Sequence, residues 1–150
     1  MENNLDMSKY FTKILVATDG SESSMAAADC AISVANNYES GLIALYVIES
    51  GTSILGPNPP PHLIEIKNQA QEYLDKIKHK ASQIDGGIQL KTEIIASPSV
   101  VDGIVSFAEK ENIDLIVVGI KGRSAIKKLL LGSVSSGVVT YAHCTVTVVR

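Results

Sequence analysis

Short apolar runs alternate with longer amphipathic segments along this chain. KILVATD, residues 13–19, predicts a short buried strand ending at Asp19. Ser21 or Ser23 then caps a helix through SMAAADCAISVANNY, with Met25, Ala28, Ile32 and Ala35 on one face. Gly41 restarts the chain, and LIALYVIE is the next apolar strand. SGTSILGPNPPP is rich in Pro and Gly and reads as loop. From about His62 to Ile84 the residues Leu63, Ile66, Ala70, Tyr73, Ile77, Ala81 and Ile84 recur at helical spacing with charges between them. That pattern predicts a long helix, ended by DGG. IQLKTEIIA alternates at first and then turns apolar, as a strand nearer a sheet edge does. SPSVVDGIVSFAEKEN predicts a helix with Ser97 or Ser99 near its start and Val100, Val101, Ile104, Phe107 and Ala108 facing inward. DLIVVG is the most strongly buried strand; SVSSGVVTYA and CTVTVVR supply a last helix and a last strand.

Five strands thus alternate with four helices. That order predicts an α/β fold: a single-domain, doubly wound, Rossmann-like parallel sheet with helices on both faces. Residues 1–10 read as a flexible arm and 11–150 as the domain, with no internal repeat. At 150 residues, 45% apolar and 19% charged, the chain has the composition of one globular unit with a real core. A net charge of −3 and the absence of Trp speak against a nucleic-acid binder. The start, MENNLDMSKY, lacks the basic and apolar parts of a signal peptide, and no apolar run is long enough to cross a bilayer, so the expected place is the cytoplasm, with no membrane partner. Cys30 and Cys144 read as two small buried residues of a reducing compartment, with a disulfide or a reactive thiol as the alternatives. His62, His79 and His143 stand at no metal-ligand spacing.

In an open parallel sheet a ligand sits beyond the carboxyl ends of the strands, where strand order reverses. Two strands end in suggestive chemistry, ATDGSES and VVGIKG. Asp19 offers a carboxylate for a ribose hydroxyl, or else common turn and cap chemistry. Gly119, Gly122, Gly132 and Ser133 fit G-x2-G-x9-G-S. A glycine at a strand end admits a ligand close to the backbone, and the helix start at Gly132–Ser133 offers N–H groups to an anion. Lys121, Arg123, Lys127 and Lys128 add positive potential. Without a family context the same residues also suit a Gly-rich connection with a solvated basic face. The pattern is neither a Walker loop nor a dinucleotide fingerprint.

KILVATDGSESS, YVIE, DLIVVGIKGRSAIKKLLLGSVS and CTVTVVR together resemble the universal stress proteins, over residues 10–150. The G-x2-G-x9-G-[ST] spacing resembles the ATP-binding branch of that family. The resemblance implies strand order 3-2-1-4-5, with strands one and four side by side. It implies a site of Ala17, Thr18, Asp19, Val47, Val118, Gly119, Lys121, Gly122, Arg123, Gly132, Ser133, Val134 and Ser135. Asp19 would bind ribose, the Val47 backbone adenine, and the glycine–serine segment the phosphates. The implied cofactor is ATP, with AMP, ADP or a cyclic adenine nucleotide as alternatives, and Mg²⁺ or Mn²⁺ carried by the phosphates. The implied partner is a second copy joined through the last strand. Ile120 departs from the small polar residue common at its position, while Lys121 keeps a cation.

The expected function is that of a nucleotide-binding stress-response regulator. A slow ATP hydrolase or phosphotransferase is one alternative, and a dimeric interaction module with an empty crevice is another. Phosphoryl transfer needs a metal-holding carboxylate and a group that orients the nucleophile, and the glycine segment supplies neither.

Overall fold

The structure is a computed structural model describing residues 10–51, 56–121 and 131–150. The expected arm, residues 1–10, lies outside the described residues apart from Tyr10, as do four residues of the Pro/Gly-rich loop. The elements run β1 (Lys13–Ala17), α1 (Glu22–Tyr38), β2 (Gly41–Glu49), α2 (Pro61–Ser82), β3 (Leu90–Ser97), α3 (Val100–Lys110), β4 (Leu115–Gly119), α4 (Ser133–Tyr141) and β5 (Thr145–Val149). All strand pairs are parallel and the order is β3-β2-β1-β4-β5. The chain therefore steps one way from β1 to β3, returns past β1, and steps the other way through β4 to β5. The reversal lies between β1 and β4.

Two helices cover each face. α1 and α2 pack with Ile14, Val16, Leu42, Ala44, Tyr46 and Val117 on one side. α3 and α4 pack with Leu15, Ile43, Leu45, Val47, Ile116 and Val118 on the other. Strands β1, β2 and β4 send side chains into both cores, and this is why they read as unbroken apolar runs. β3 lies at an edge and alternates between half-buried and exposed positions at its start. α1 lays Ala27, Ala28, Ala31 and Ala35 against the sheet, so small side chains let the helix sit close.

Local chemistry sets the helix ends. Ser21 caps α1 by accepting the Ser24 N–H at 3.2 Å, and Ser99 caps α3 by accepting the Asp102 N–H at 3.3 Å. α2 opens on Pro61, which suits a first helical position because its missing N–H would have had no partner there. It stops at Ser82, two residues before Ile84, and Gly86 and Gly87 turn the chain with positive φ. β1 ends at Ala17 rather than Asp19, because the next residues turn at Gly20, whose φ is +81°. The inner face of α2 is Leu63, Ala70, Leu74, Ile77 and Ala81. Leu74 takes the central place, while Tyr73 stands at the border of that face, half-buried.

Leu74 is fully enclosed, so Leu74→Ala should lower the unfolding free energy by about 3 kcal/mol through lost burial plus an unfilled cavity. Equilibrium urea denaturation checks this; a loss below about 1 kcal/mol would mean that α2 does not pack on the sheet as described.

Candidate functional site

The crevice begins with backbone register. Ile14, Leu15 and Val16 of β1 stand beside Leu115, Ile116 and Val117 of β4, so Ala17–Asp19 and Gly119 follow on adjacent strand tips. On the other side, β1 pairs with β2 as far as Ala17 beside Leu45, and the Thr18 N–H donates to the Leu45 carbonyl at 2.9 Å. In a parallel ladder alternate residues aim their backbone groups the same way. The N–H and C=O of Val47 therefore face the β1 side, past the last residue of the β1 ladder. Its side chain turns into the second core, where it packs so close to Gly103 of α3 that a Cβ there would lie 2.8 Å from Val47 Cγ1.

The turn after β1 is a chain of hydroxyls. Thr18 is buried, and its Oγ1 lies 2.9 Å from Ser24 Oγ while accepting the Gly20 N–H at 3.1 Å. Ser24 Oγ donates in turn to the Ser21 carbonyl at 3.0 Å. The Asp19 carboxylate accepts the Ser21 N–H at 2.9 Å, closing an Asx turn that leads straight into α1. Asp19 is half-buried at the rim of the crevice.

Gly119 needs to be glycine for a reason the sequence does not disclose. A Cβ there would lie 2.5 Å from Ser23 Oγ and 2.6 Å from the Ser23 main-chain carbon. The space that the sequence pattern leaves for a ligand at this position is thus filled by the first turn of α1. Ser23 Oγ also accepts the Lys121 N–H at 3.3 Å. Ser23 and Ser24 are missing from the predicted set, where the serine cluster reads only as cap chemistry.

Ile120 acts through its backbone. Its N–H donates to the Val149 carbonyl at 2.8 Å, beside β5. Its carbonyl accepts the Gly132 N–H at 2.7 Å and the Ser135 hydroxyl at 2.9 Å. The hydroxyl of Ser135, 2% exposed, is thus occupied in holding α4 to the tip of β4, which leaves the backbone of Ser135 for any ligand. Gly132 is the extended N-cap of α4, and as a glycine it brings no side chain to cap this helix. Ser133 is exposed and Val134 half-buried at its start. Val118 is buried in the second core and Ala17 half-buried against it. Among the described residues the structure thus gathers Ala17, Thr18, Asp19, Val47, Gly119, Lys121, Gly132, Ser133, Val134 and Ser135 at or beside the strand tips. Gly122, Arg123, Lys127 and Lys128 lie outside the described residues.

The Universal stress protein family model matches residues 11–150. The chain belongs to that family. Universal stress protein MJ0531 of Methanocaldococcus jannaschii is 36% identical over 143 residues, covering 93% of this chain and 82% of the relative. Among solved structures, universal stress protein UspA from Lactobacillus plantarum is 29% identical with a TM-score of 0.74, covering 93% of this chain and 98% of that one. Two more distant universal stress proteins share the fold: one in complex with cAMP (24% identical, TM-score 0.63) and one from Archaeoglobus fulgidus in complex with dAMP (19%, 0.66). The strand order and helix placement of this universal stress protein are those of the family fold.

The cysteines are free and half-buried rather than enclosed. Cys144 precedes β5 at the opposite end of the sheet, in a cleft shared with Glu109, Asn112 and His143, where the His143 ring nitrogen Nε2 lies 2.7 Å from Glu109 Oε1. Burial pushes the Cys144 thiol up, the Asp114 charge adds to this, and a hydrogen bond with the Ile116 backbone partly offsets both.

Gly119→Ala should destabilise the protein by about 1–3 kcal/mol, because a packed main chain must move. Adding Ser23→Ala should not restore it, since the Ser23 main-chain oxygen alone lies 2.7 Å from the new methyl. Denaturation of the single and double variants decides; a neutral Gly119→Ala would contradict the close approach. In a Cys30→Ser background, the pH profile of Cys144 alkylation by iodoacetamide should lie above that of an ordinary thiol, and a profile at or below it would contradict the burial described.

Proposed function

We propose that this universal stress protein is a regulatory protein of the stress response that binds an adenine nucleotide, ATP foremost, in the crevice at the tips of β1 and β4. The observation that carries the reading is the start of α4: a helix terminus whose N-cap, Gly132, has no side chain, tied to the tip of β4 by the Gly132 N–H and the Ser135 hydroxyl. Such a terminus presents backbone N–H groups and the positive end of the helix dipole to an anion. Membership of the family supports it, and the cAMP and dAMP complexes of more distant members make adenine nucleotides the ligands to try first.

In this reading each part of the nucleotide meets a different chemistry. The adenine edge pairs with the N–H and C=O of Val47, which face past the end of β1. A ribose hydroxyl donates to the Asp19 carboxylate, with Ala17 and Thr18 beneath. The phosphates lie at the N–H groups of Ser133, Val134 and Ser135 beside Gly119, with Lys121, Gly122 and Arg123 from the connecting segment. Mg²⁺ or Mn²⁺ comes with the phosphates: among the described residues no three His, Cys, Asp or Glu side chains gather to hold a cation. The work is binding rather than turnover, because Asp19 is engaged with ribose and with the turn. We further propose a homodimer through β5, whose outer edge is uncharged and β-branched, and a cytoplasmic location.

Protein denatured after purification should release an adenine nucleotide detectable by mass. Stripped protein with ATP at a hundred times its dissociation constant should gain about 2.7 kcal/mol of stability. Asp19→Ala should weaken ATP binding by roughly tenfold or more, the scale of a hydrogen bond to a charged group. No thermal shift with ATP, ADP, AMP or cyclic adenine nucleotides would contradict the reading and leave an interaction module.

A further inference from the structure

Gly20 stands in the turn between β1 and α1 with φ +81°, and the room left by its missing side chain is taken. A Cβ there would lie 2.3 Å from Cε2 and Cζ of Tyr73 on α2. The Tyr73 ring therefore rests directly on the Gly20 main chain. The same ring stacks on Tyr46 of β2, with centroids 6.4 Å apart and planes 13° from parallel, and Lys76 Nζ lies 5.8 Å from its centroid. Tyr46 is buried in the first core, so the ring is backed by packed side chains rather than by solvent. The Gly20 N–H is held by Thr18 Oγ1 at 3.1 Å. Gly20 is thus gripped by a hydroxyl from the end of β1 and by an aromatic ring from α2, and Asp19 is the residue before it.

We propose that Tyr73 is a positioning residue: its ring, seated on Gly20 and backed by Tyr46, fixes the turn that carries Asp19 and so sets the reach of that carboxylate to a ribose hydroxyl. This rests on the nucleotide reading above. Glycine has wide conformational freedom, and a turn through it keeps one shape only where something outside holds it. Hydrogen bonds between oxygens weaken once the atoms drift beyond a narrow range near 2.7–2.8 Å, so a small swing of the turn releases the ribose while leaving adenine and phosphate contacts in place. The ring is therefore a specificity element. It also makes α2 a mechanical neighbour of the ribose site, although α2 supplies none of the predicted ligand contacts.

The test compares ATP with 2′,3′-dideoxy-ATP, which lacks the ribose hydroxyls, by calorimetric titration of the full chain. The wild-type protein should prefer ATP by about tenfold or more. Tyr73→Ala should bring that ratio close to one, chiefly by weakening ATP while dideoxy-ATP affinity stays nearly constant. An unchanged ratio, or an equal loss for both nucleotides, would overturn the proposal, since a purely structural role moves both alike. Wild-type protein that binds neither nucleotide would overturn the nucleotide reading itself; wild-type protein that binds both equally would leave that reading standing and overturn this inference. If Tyr73→Ala does not fold, Tyr73→Leu retains bulk and should give an intermediate ratio, an unchanged one again counting against the proposal. Gly20→Ala gives an independent readout. Beside Tyr73 it should abolish the ATP preference, because the added methyl meets both the ring and the positive φ of the turn; a preference kept at the wild-type ratio would count against the proposal.

Discussion

The carbonyl of Ile120 accepts two hydrogen bonds from α4, one from the Gly132 N–H and one from the Ser135 hydroxyl. Ser135 is almost fully buried, so these bonds are shielded from water, and releasing them would leave a polar group unsatisfied. They tie the first turn of α4 to the tip of β4. Because β4 lies beside β1, that helix terminus is brought to the point where the sheet reverses direction. The binding reading depends on this joint, since a helix start elsewhere would face no crevice.

The other contacts follow from the same junction. The first turn of α1 presses Ser23 into the space beside Gly119, so the helices that follow β1 and β4 both begin at adjoining strand tips. Only a glycine at the end of β4 permits that approach. On the far side β2 runs on to Glu49, past the end of β1, which leaves the backbone of Val47 facing the crevice. α2 reaches across through Tyr73 to the Gly20 turn. β1, β2 and β4 with α1, α2 and α4 thus all contribute at one end of the sheet, where main chain approaches main chain.

Much of this was legible in the sequence. Uniformly apolar strands between amphipathic segments required a parallel sheet covered on both faces, and all five strands and four helices are present. The sequence offers Ser21 or Ser23, and Ser97 or Ser99, as caps; the structure selects Ser21 and Ser99, each bonded to an N–H three residues on. The strand order needed the family resemblance, since periodicity says which residues are buried but not which strand is beside which. Three features stayed hidden. The reason for glycine at position 119 lies in Ser23, nearly a hundred residues away. The hydroxyl of Ser135 turns inward to Ile120, which no local pattern announces. Tyr73 reads as one more apolar position of α2, and its contact with Gly20 exists only once β1, β2 and α2 are packed together.

The most direct measurement is a titration of nitrogen-15-labelled protein with ATP, followed amide by amide. Val47, Ser133, Val134 and Ser135 should shift most, together with Asp19 and Gly20. The amides around Cys144, at the other end of the sheet, should hardly move. Shifts centred on Cys144 and His143, or spread evenly over the chain with the strand tips unaffected, would contradict it.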